Sequence, residues 1–441
     1  MKRTVLAIDI GSTKICAIIA EIDEDNHSQI IGVGVAKAQG LRKGSITNID
    51  LASKSIKSAV MDAKRVAGKD LTSAIVSISG AYTKSINSNG IVNIPDKEVT
   101  RKEIDRVMHI SLYNANIPHE FEVIHALPYN FKVDGQGFID DPLGMNAARL
   151  EVETHIITTM KSNLNNVRKA VKAAGVDVEE VVLSGYASAI AVLNQDEKEL
   201  GAAVIDMGGN TCNIVIHSGH AIRYNDFLAI GSNHITNDLS MAIHTPLQTA
   251  DKVKINYGSL YAPSNDLIEV PIIGDEKTMQ EISLEVIHNV IYARVEETLM
   301  IIAKSLEESG LEKHLGAGVV FTGGFTKLEG FRELAVAIFD SMSVRLAKPT
   351  NMDGLFDTLR DPSYSAAIGL VKYASGGYTP YEVNLSKQEI SPQEPFPLPP
   401  KRMGIVEIPP YNADYIPREP NSVENDSNPI IRFWNWITHL F

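Results

Sequence analysis

"VLAIDIGSTKICAIIAEI", residues 5–22, places two apolar runs rich in β-branched residues around a turn of glycine, serine and threonine. Asp9 ends the first run and Gly11 opens the turn, so the stretch reads as a β-hairpin. Residues 202–219, "AAVIDMGGNTCNIVIHSG", repeat the pattern just under two hundred residues later. The Asp, the Gly and both flanking runs match in register. Two related halves, each donating one hairpin, explain this better than a coincidence of common strand–turn–strand patterns.

Outward from the hairpins, helical patterns at 51–68 and 161–175 alternate with short strands at 73–79 and 178–184. Alternation of this kind argues α/β layering. Residues 84–160 break the rhythm with short strands, one helix at about 100–116 and the segment "DGQGFIDDPLGM", and read as an inserted subdomain. Residues 226–302 carry two helical patterns around an apparent hairpin at 267–273. A third glycine-rich turn, in "GVVFTGGFTKLEGF" (318–331), follows a strand and opens a helix. After about residue 378 the composition changes: eleven of the twenty prolines lie between 380 and 429. That stretch reads as a disordered linker, with a reach of ~40 Å or somewhat more as a flexible coil.

The 441 residues exceed one compact core, so two domains or one large split fold are expected. A content of 44% hydrophobic and 22% charged residues is that of a globular chain. Forty-one basic against fifty-four acidic residues give −13, which excludes a nucleic-acid backbone as the main partner. Cys16 and Cys212 make no disulfide framework and lack metal-ligand spacing, which suits a reducing cytoplasm. In "MKRTVLAIDIGS" the apolar run is broken by Asp9, so the N-terminus reads as a strand and not as a signal peptide. No stretch approaches the ~18 apolar residues of a spanning helix.

Both tryptophans stand in the last ten residues, "RFWNWITHLF". On a helix, Ile430, Phe433, Trp434, Ile437, Leu440 and Phe441 share one face, opposite Arg432, Asn435 and His439. Trp436 sits on the flank, where an indole keeps its N–H among headgroups. Such a segment is too short to span and is expected to lie in a membrane interface. Docking in a protein groove is the alternative, although a tether of some fifty residues is not needed to reach the chain's own surface. One short helix anchors weakly, and several copies in a polymer hold better through avidity.

The turns Gly11-Ser12-Thr13-Lys14 and Gly208-Gly209-Asn210-Thr211 expose backbone N–H groups with few Cβ atoms in the way. Facing each other, they can clamp a polyphosphate by main-chain donors. Asp9 and Asp206 precede the turns, where carboxylates can hold waters around Mg²⁺. Lys14 adds a point charge toward the phosphates. Any one turn alone is an ordinary hairpin; both in one register, with the Gly323-Gly324 turn, form a strong signal.

These residues resemble a known superfamily. "AIDIGSTK" (7–14), "VIDMGGNT" (204–211) and "VVFTGGF" (319–325) are similar to the phosphate-1, phosphate-2 and adenosine motifs of the actin, heat-shock chaperone and sugar kinase superfamily. "SGYASAIAVL" (184–193) and "PSYSAAIGLV" (362–371) resemble its two connecting helices. Within it, the chain resembles the bacterial cell-division FtsA family, through "HALPYNFKVDGQGFIDDPLGMNAARLEVETHII" (125–157), "DKVKINYG" (251–258), "ARVEETL" (293–299) and a linker ending in an amphipathic helix.

The resemblance implies an actin-like (ribonuclease H-like, duplicated) α/β fold with two lobes and an inserted α+β subdomain. Residues 1–83, 163–200 and 363–378 would form subdomain 1A, 84–162 the insertion 1C, 201–225 and 303–362 subdomain 2A, and 226–302 subdomain 2B. A linker at 379–428 and a membrane-targeting helix at 429–441 would follow. The implied function is an ATP- and Mg²⁺-binding cell-division protein that anchors filaments of the tubulin-like FtsZ, the Z ring, at septum formation. Its place would be the cytoplasmic face of the inner membrane at the division site, as a peripheral protein. Its partners would be the FtsZ C-terminal tail at 2B, copies of itself in actin-like protofilaments, membrane lipid and downstream divisome proteins. In the adenosine pocket, Gly323, Gly324, Asp251 and Lys254 match, the carboxylate being able to accept from ribose hydroxyls.

Two departures stand out: Asn210 replaces the third glycine of phosphate-2, and Asp251 is a methylene shorter than the usual Glu. The Asn210 side chain either crowds the phosphates or donates to them. Relatives carry a water-orienting group at the start of the first connecting helix. Leu183-Ser184-Gly185-Tyr186 offers none, so slow hydrolysis at most is expected, with ATP mainly a structural ligand. A small-molecule kinase and a pilus-assembly or rod-shape ATPase of the same superfamily are the alternatives.

Overall fold

The computed structural model describes residues 2–384 apart from His220 and Leu355. In the first lobe β1 (Arg3–Ile10) turns into β2 (Lys14–Ile22), and β3 (Ser28–Lys37) completes a meander. The small ribbon β4 (Leu41–Arg42) and β5 (Ser45–Ile46) leads into α1 (Ile49–Ala67), which returns the chain to β6 (Ser73–Ile78). α1 starts where Asn48 accepts from the Leu51 N–H and stops at left-handed Gly68; its Ile56, Ala59, Val60 and Ala63 face the sheet.

The chain then leaves this sheet through β7 (Thr83–Asn93), α2 (Arg101–Asn114), β8 (Phe121–Val133), β9 (Gln136–Ile139) and β10 (Arg149–Met160). It returns by α3 (Lys161–Ala173), β11 (Asp177–Leu183) and α4 (Ser184–Val192). The second lobe opens with α5 (Gln195–Leu200), β12 (Ala202–Met207), β13 (Cys212–Ser218) and β14 (Ala221–Leu228). After them come α6 (Ser232–Ala242), α7 (Leu247–Tyr257), the hairpin β15 (Leu267–Ile272) and β16 (Asp275–Ser283), and α8 (Leu284–Glu308). Then β17 (Gly318–Thr322), α9 (Phe331–Ile338) and β18 (Val344–Leu346) finish that lobe. Finally α10 (Ser365–Ala374) and β19 (Val383–Asn384) return to the first lobe and the insertion.

The duplication is visible in the topology. The first sheet runs β11-β6-β1-β2-β3 and the second β18-β17-β12-β13-β14, each an antiparallel meander followed by two parallel strands. Asp9 pairs with Cys16 and Asp206 with Asn213, so both hairpins share one register at an offset of 197 residues. Ile8, Ile15 and Ile18 sit in the first core and Ile205, Ile214 and Phe321 in the second. The insertion is an antiparallel sheet in the order β19-β8-β10-β7, with Ile104, Val107 and Met108 of α2 in its own core.

Several expectations change. Residues 226–302 hold three helices where two patterns were expected, and α8 continues past the expected boundary at 302 to Glu308. The first connecting helix is α4, buried throughout. It crosses α10 so closely that a Cβ on Gly369 would stand 1.8 Å from the Ala187 carbonyl oxygen. The linker does not begin at 379. Thr379, Glu382 and Asn384 are buried, and Val383 and Asn384 pair with Ala126 and His125 of β8. The reason is a set of polar partners far away in the chain: Glu382 accepts from His125 Nδ1 (2.6 Å) and from the hydroxyls of Tyr186 (3.0 Å) and Tyr373 (2.9 Å). The Leu183 N–H donates to His125 Nε2 (3.1 Å), which places the ring proton on Nδ1. The rest of the linker and the helix at 429–441, with Ile430, Phe433, Trp434, Trp436, Ile437, Leu440 and Phe441, lie outside the described residues.

Candidate nucleotide-binding site

The two hairpin turns face one cavity of about 590 Å³, within the range of small-molecule sites. It is lined by Asp9, Gly11, Ser12, Thr13 and Lys14 from the first hairpin and by Asp206, Gly208, Gly209 and Thr211 from the second. Asp251 and Lys254 of α7 and the Gly323-Gly324 turn close its other side. That turn passes into a 3-10 turn, Gly324–Lys327, before α9 opens at Phe331, so the helix starts later than the sequence pattern suggested. The turns touch: a Cβ on Gly209 would stand 2.1 Å from Thr13 Cγ2, so any side chain at 209 would force Thr13 aside.

Asn210 is the expected residue that stays out of the cavity. Its Nδ2 donates to the Ser12 carbonyl (3.5 Å) and its Oδ1 accepts from Asn233 Nδ2 (3.0 Å). The amide therefore ties the second turn to the first and to the first turn of α6. It lines no part of the space where phosphates were expected.

Each strand-end carboxylate is held by a serine. Ser77 Oγ donates to Asp9 Oδ1 (2.8 Å) and accepts from the Ile10 N–H (2.8 Å). Ser188 Oγ, on α4, donates to Asp206 Oδ2 (2.6 Å). Burial pushes the Asp9 carboxyl up, against the Ser77 hydroxyl and the Lys14 charge. Burial likewise pushes Asp206 up to about 6; the Ser188 bond opposes this and the Asp9 charge adds to it. Burial lowers Lys14, opposed by the negative groups around it. Its Nζ donates to Ser363 Oγ (2.7 Å) and lies 3.0 Å from the centre of the Tyr364 ring. Two neighbouring carboxylates that each resist ionisation, together with open N–H turns, are a donor set suited to a hard divalent cation carrying phosphate.

On α7 the Asp251 carboxylate is engaged as well as available. Its Oδ1 accepts from Lys254 Nζ (2.7 Å) and Thr236 Oγ1 (3.1 Å), while half of the side chain remains exposed. Burial raises this carboxyl, but the bonds from Lys254 and Thr236 outweigh it and hold it below the usual range. Lys254 also donates to Thr236 Oγ1 (2.8 Å) and the Ser232 carbonyl (3.4 Å), which fixes α7 on α6.

Ser77, Ser188, Ser363, Tyr364 and Asn213 were not expected here. Asn213 lines the cavity and accepts from the Gly80 N–H (3.1 Å), joining the second hairpin to the first lobe. Two signals were present: an amide at the place where the first hairpin has Cys16, and a serine, Ser188, set among the small apolar residues of 187–191.

Residues 203–369 match the family described as cell division protein FtsA, and residues 80–158 match the SHS2 domain inserted in FtsA. The cell division protein FtsA of Helicobacter pylori is 40% identical over 414 residues, which cover 86% of this chain and 84% of that one. The chain belongs to the FtsA family. FtsA of Pseudomonas aeruginosa is 37% identical over 84% of this chain and 89% of its own. FtsA of Escherichia coli K12 is 30% identical over 88% and 94%. The matched inserted domain coincides with the separate sheet of β7, β8 and β10. Among solved structures, a PilM–PilN type IV pilus biogenesis complex aligns with TM-score 0.60 and 16% identity over 84% of this chain and 98% of that one. MreB5 of Spiroplasma citri bound to ADP aligns at 0.50 and 14%, over 84% and 95%. Both likenesses carry the actin-like fold alone. Membership in FtsA makes this a division protein, and among the described residues no helix is long and apolar enough to cross a membrane.

Proposed function

We propose that this FtsA-family protein binds Mg–ATP between its lobes and anchors FtsZ filaments to the cytoplasmic face of the membrane at the division site. The observation that carries the nucleotide reading is the pair of turns in one register, preceded by the buried carboxylate of Asp9 and the partly buried one of Asp206, around one cavity. Backbone N–H groups of 11–14 and 209–211 would hold the phosphates, while the Gly208 N–H is given to the Thr211 carbonyl (2.8 Å) and closes the turn. Lys14 would supply a cation, and Asp9 and Asp206 would hold Mg²⁺ through its waters. The ion, when bound, neutralises phosphate charge. Asp251 would face the ribose. Gly323 and Gly324, which line the same wall, leave room for the base.

ATP in this reading is mainly a ligand that favours one lobe arrangement. Ser184, at the start of α4, lines the cavity, but its proton is held by the Ile78 carbonyl (3.0 Å) and a neutral hydroxyl is no effective base for an attacking water. Hydrolysis should accordingly be slow.

The membrane reading is supported by the aromatic face of residues 430–441. The FtsZ tail is assigned to residues 226–302, where exposed Met241, Leu247 and Tyr257 offer apolar ground. Copies of the chain would polymerise, and further divisome proteins would be recruited to them.

Flotation of the full chain with liposomes and FtsZ filaments, with Mg–ATP present, tests both parts. Removal of 428–441 should leave the filaments in the pellet, and Gly209→Asp should lose ATP in a filter-binding assay. Wild-type behaviour of the truncated chain overturns the anchor, and wild-type ATP affinity in Gly209→Asp overturns the site.

A further inference from the structure

α4 makes polar contacts in two directions within three residues. Ser188, fully buried, reaches Asp206 of the second lobe. Tyr186, two residues earlier and also buried, reaches the other way, to the segment 379–384. Its hydroxyl accepts from the Thr379 N–H (2.7 Å), shares a bond with Thr379 Oγ1 (2.9 Å) and donates to Glu382 (3.0 Å). That segment is a strap over the junction of the insertion and the first lobe. The Tyr373 hydroxyl of α10 lies 2.7 Å from Glu180 of β11 and 2.9 Å from Glu382 and shares its one proton between them, and the Asn384 amide donates to Tyr373 (3.2 Å) and to Glu180. Tyr381 packs edge-on against Phe131, and its hydroxyl donates to Asp141 (2.6 Å). From Asn384 the chain runs on toward the segment 430–441.

The helix between these contacts has little freedom. Every residue from Ser184 to Val192 is buried, and Gly369 of α10 lies directly against Ala187, between Tyr186 and Ser188. A shift of the Tyr186 end by a few tenths of an ångström therefore moves Ser188 with it, because close-packed interiors transmit displacement.

We propose that Ser188 is a positioning residue for Asp206, and that the strap 379–384, acting through Tyr186 and α4, sets where Ser188 stands. The Ser188 hydroxyl takes one carboxylate oxygen, Oδ2, and so turns Oδ1 toward the cavity wall at Gly323. The strap thereby regulates the cation affinity of the proposed Mg–ATP site, on whose existence this inference rests. The coupling is reciprocal: a ligand that orders Asp206 must also tighten the strap.

The experiment is a Mg²⁺ titration of ATP binding by calorimetry on the full chain, beside ATP binding in excess EDTA. Ser188→Ala should raise the Mg²⁺ midpoint by about tenfold while affinity in EDTA stays unchanged, a split that general loosening of the fold would not produce. Tyr186→Phe, which keeps the ring and removes the hydroxyl, should raise the midpoint by about threefold. It should add nothing to Ser188→Ala in the double variant. In the wild-type chain, Mg–ATP should slow amide exchange at 379–384; this arm needs no variant to fold. An unshifted midpoint in Ser188→Ala overturns the whole proposal. An unshifted Tyr186→Phe, multiplying effects in the double variant, or strap exchange indifferent to Mg–ATP overturns the part played by the strap. If the wild-type chain binds no ATP in either buffer, the site reading falls, and this inference with it.

Discussion

At the scale of the residue, His155 shows how burial decides charge. Its Nδ1 lies 2.7 Å from Asn87 Oδ1 and its Nε2 lies 3.0 Å from Asn225 Oδ1, joining the insertion to β14 of the second lobe. Burial pushes its pKa from 6.5 down to about 4, so the ring is neutral at pH 7, and one of the two amides must turn its NH₂ toward it. In the unfolded chain the imidazole takes a proton near 6.5. Stability is therefore full above that pH and falls as the pH drops through the folded value near 4, by on the order of 3 kcal/mol. Urea midpoints between pH 7 and 4 should show this slope, and His155→Gln should flatten it. Equal slopes in both proteins would place the charge change elsewhere. The cavity-lining residues of the two turns were legible in the sequence because Asp-x-Gly stands out inside β-branched runs. Ser77 and Ser363 were not, because an isolated serine gains meaning only from a partner 68 or 349 residues away.

At the scale of the element, the two hairpins and the helices at 49–67 and 161–173 were readable from periodicity, since each has one buried face. α4 has no such face. It is buried all round, so its role follows from what crosses it. The α4–α10 contact depends on Gly369, where a methyl group would press on the Ala187 carbonyl. Gly369→Ala should lower stability by about 3 kcal/mol or more, read from the urea midpoint. An unchanged midpoint would show that the two helices sit farther apart than described. The 3-10 turn after Gly323 was missed for a related reason: a glycine pair after a strand looks the same whether one turn or a full helix follows.

At the scale of the whole molecule, the end of the body is not legible in composition, which averages over a long window. The prolines of 392–429 masked the fact that Thr379, Glu382 and Asn384 have buried partners waiting in α4, β8 and α10. Glu382 belongs to a residue type that composition assigns to solvent; the donors of His125, Tyr186 and Tyr373 help make its burial tolerable. A chain ending at 384 should therefore melt like the full protein, while one ending at 378 leaves the His125 N–H and the Tyr186 hydroxyl without their acceptor. The expected loss is roughly 3–6 kcal/mol, measurable as a lower melting temperature by calorimetry. Equal melting of the two truncations would return 379–384 to the linker.

The return of α10 to the first lobe, where it lies against β1, β2 and β6, has a consequence for biosynthesis. A ribosome that has finished α4 must still add the entire second lobe before it supplies the helix that completes the first. At ordinary translation speeds that is a wait of roughly ten to thirty seconds, with the N-terminal sheet uncovered on one side. The nascent chain should depend on chaperones during that interval more than its modest length would suggest.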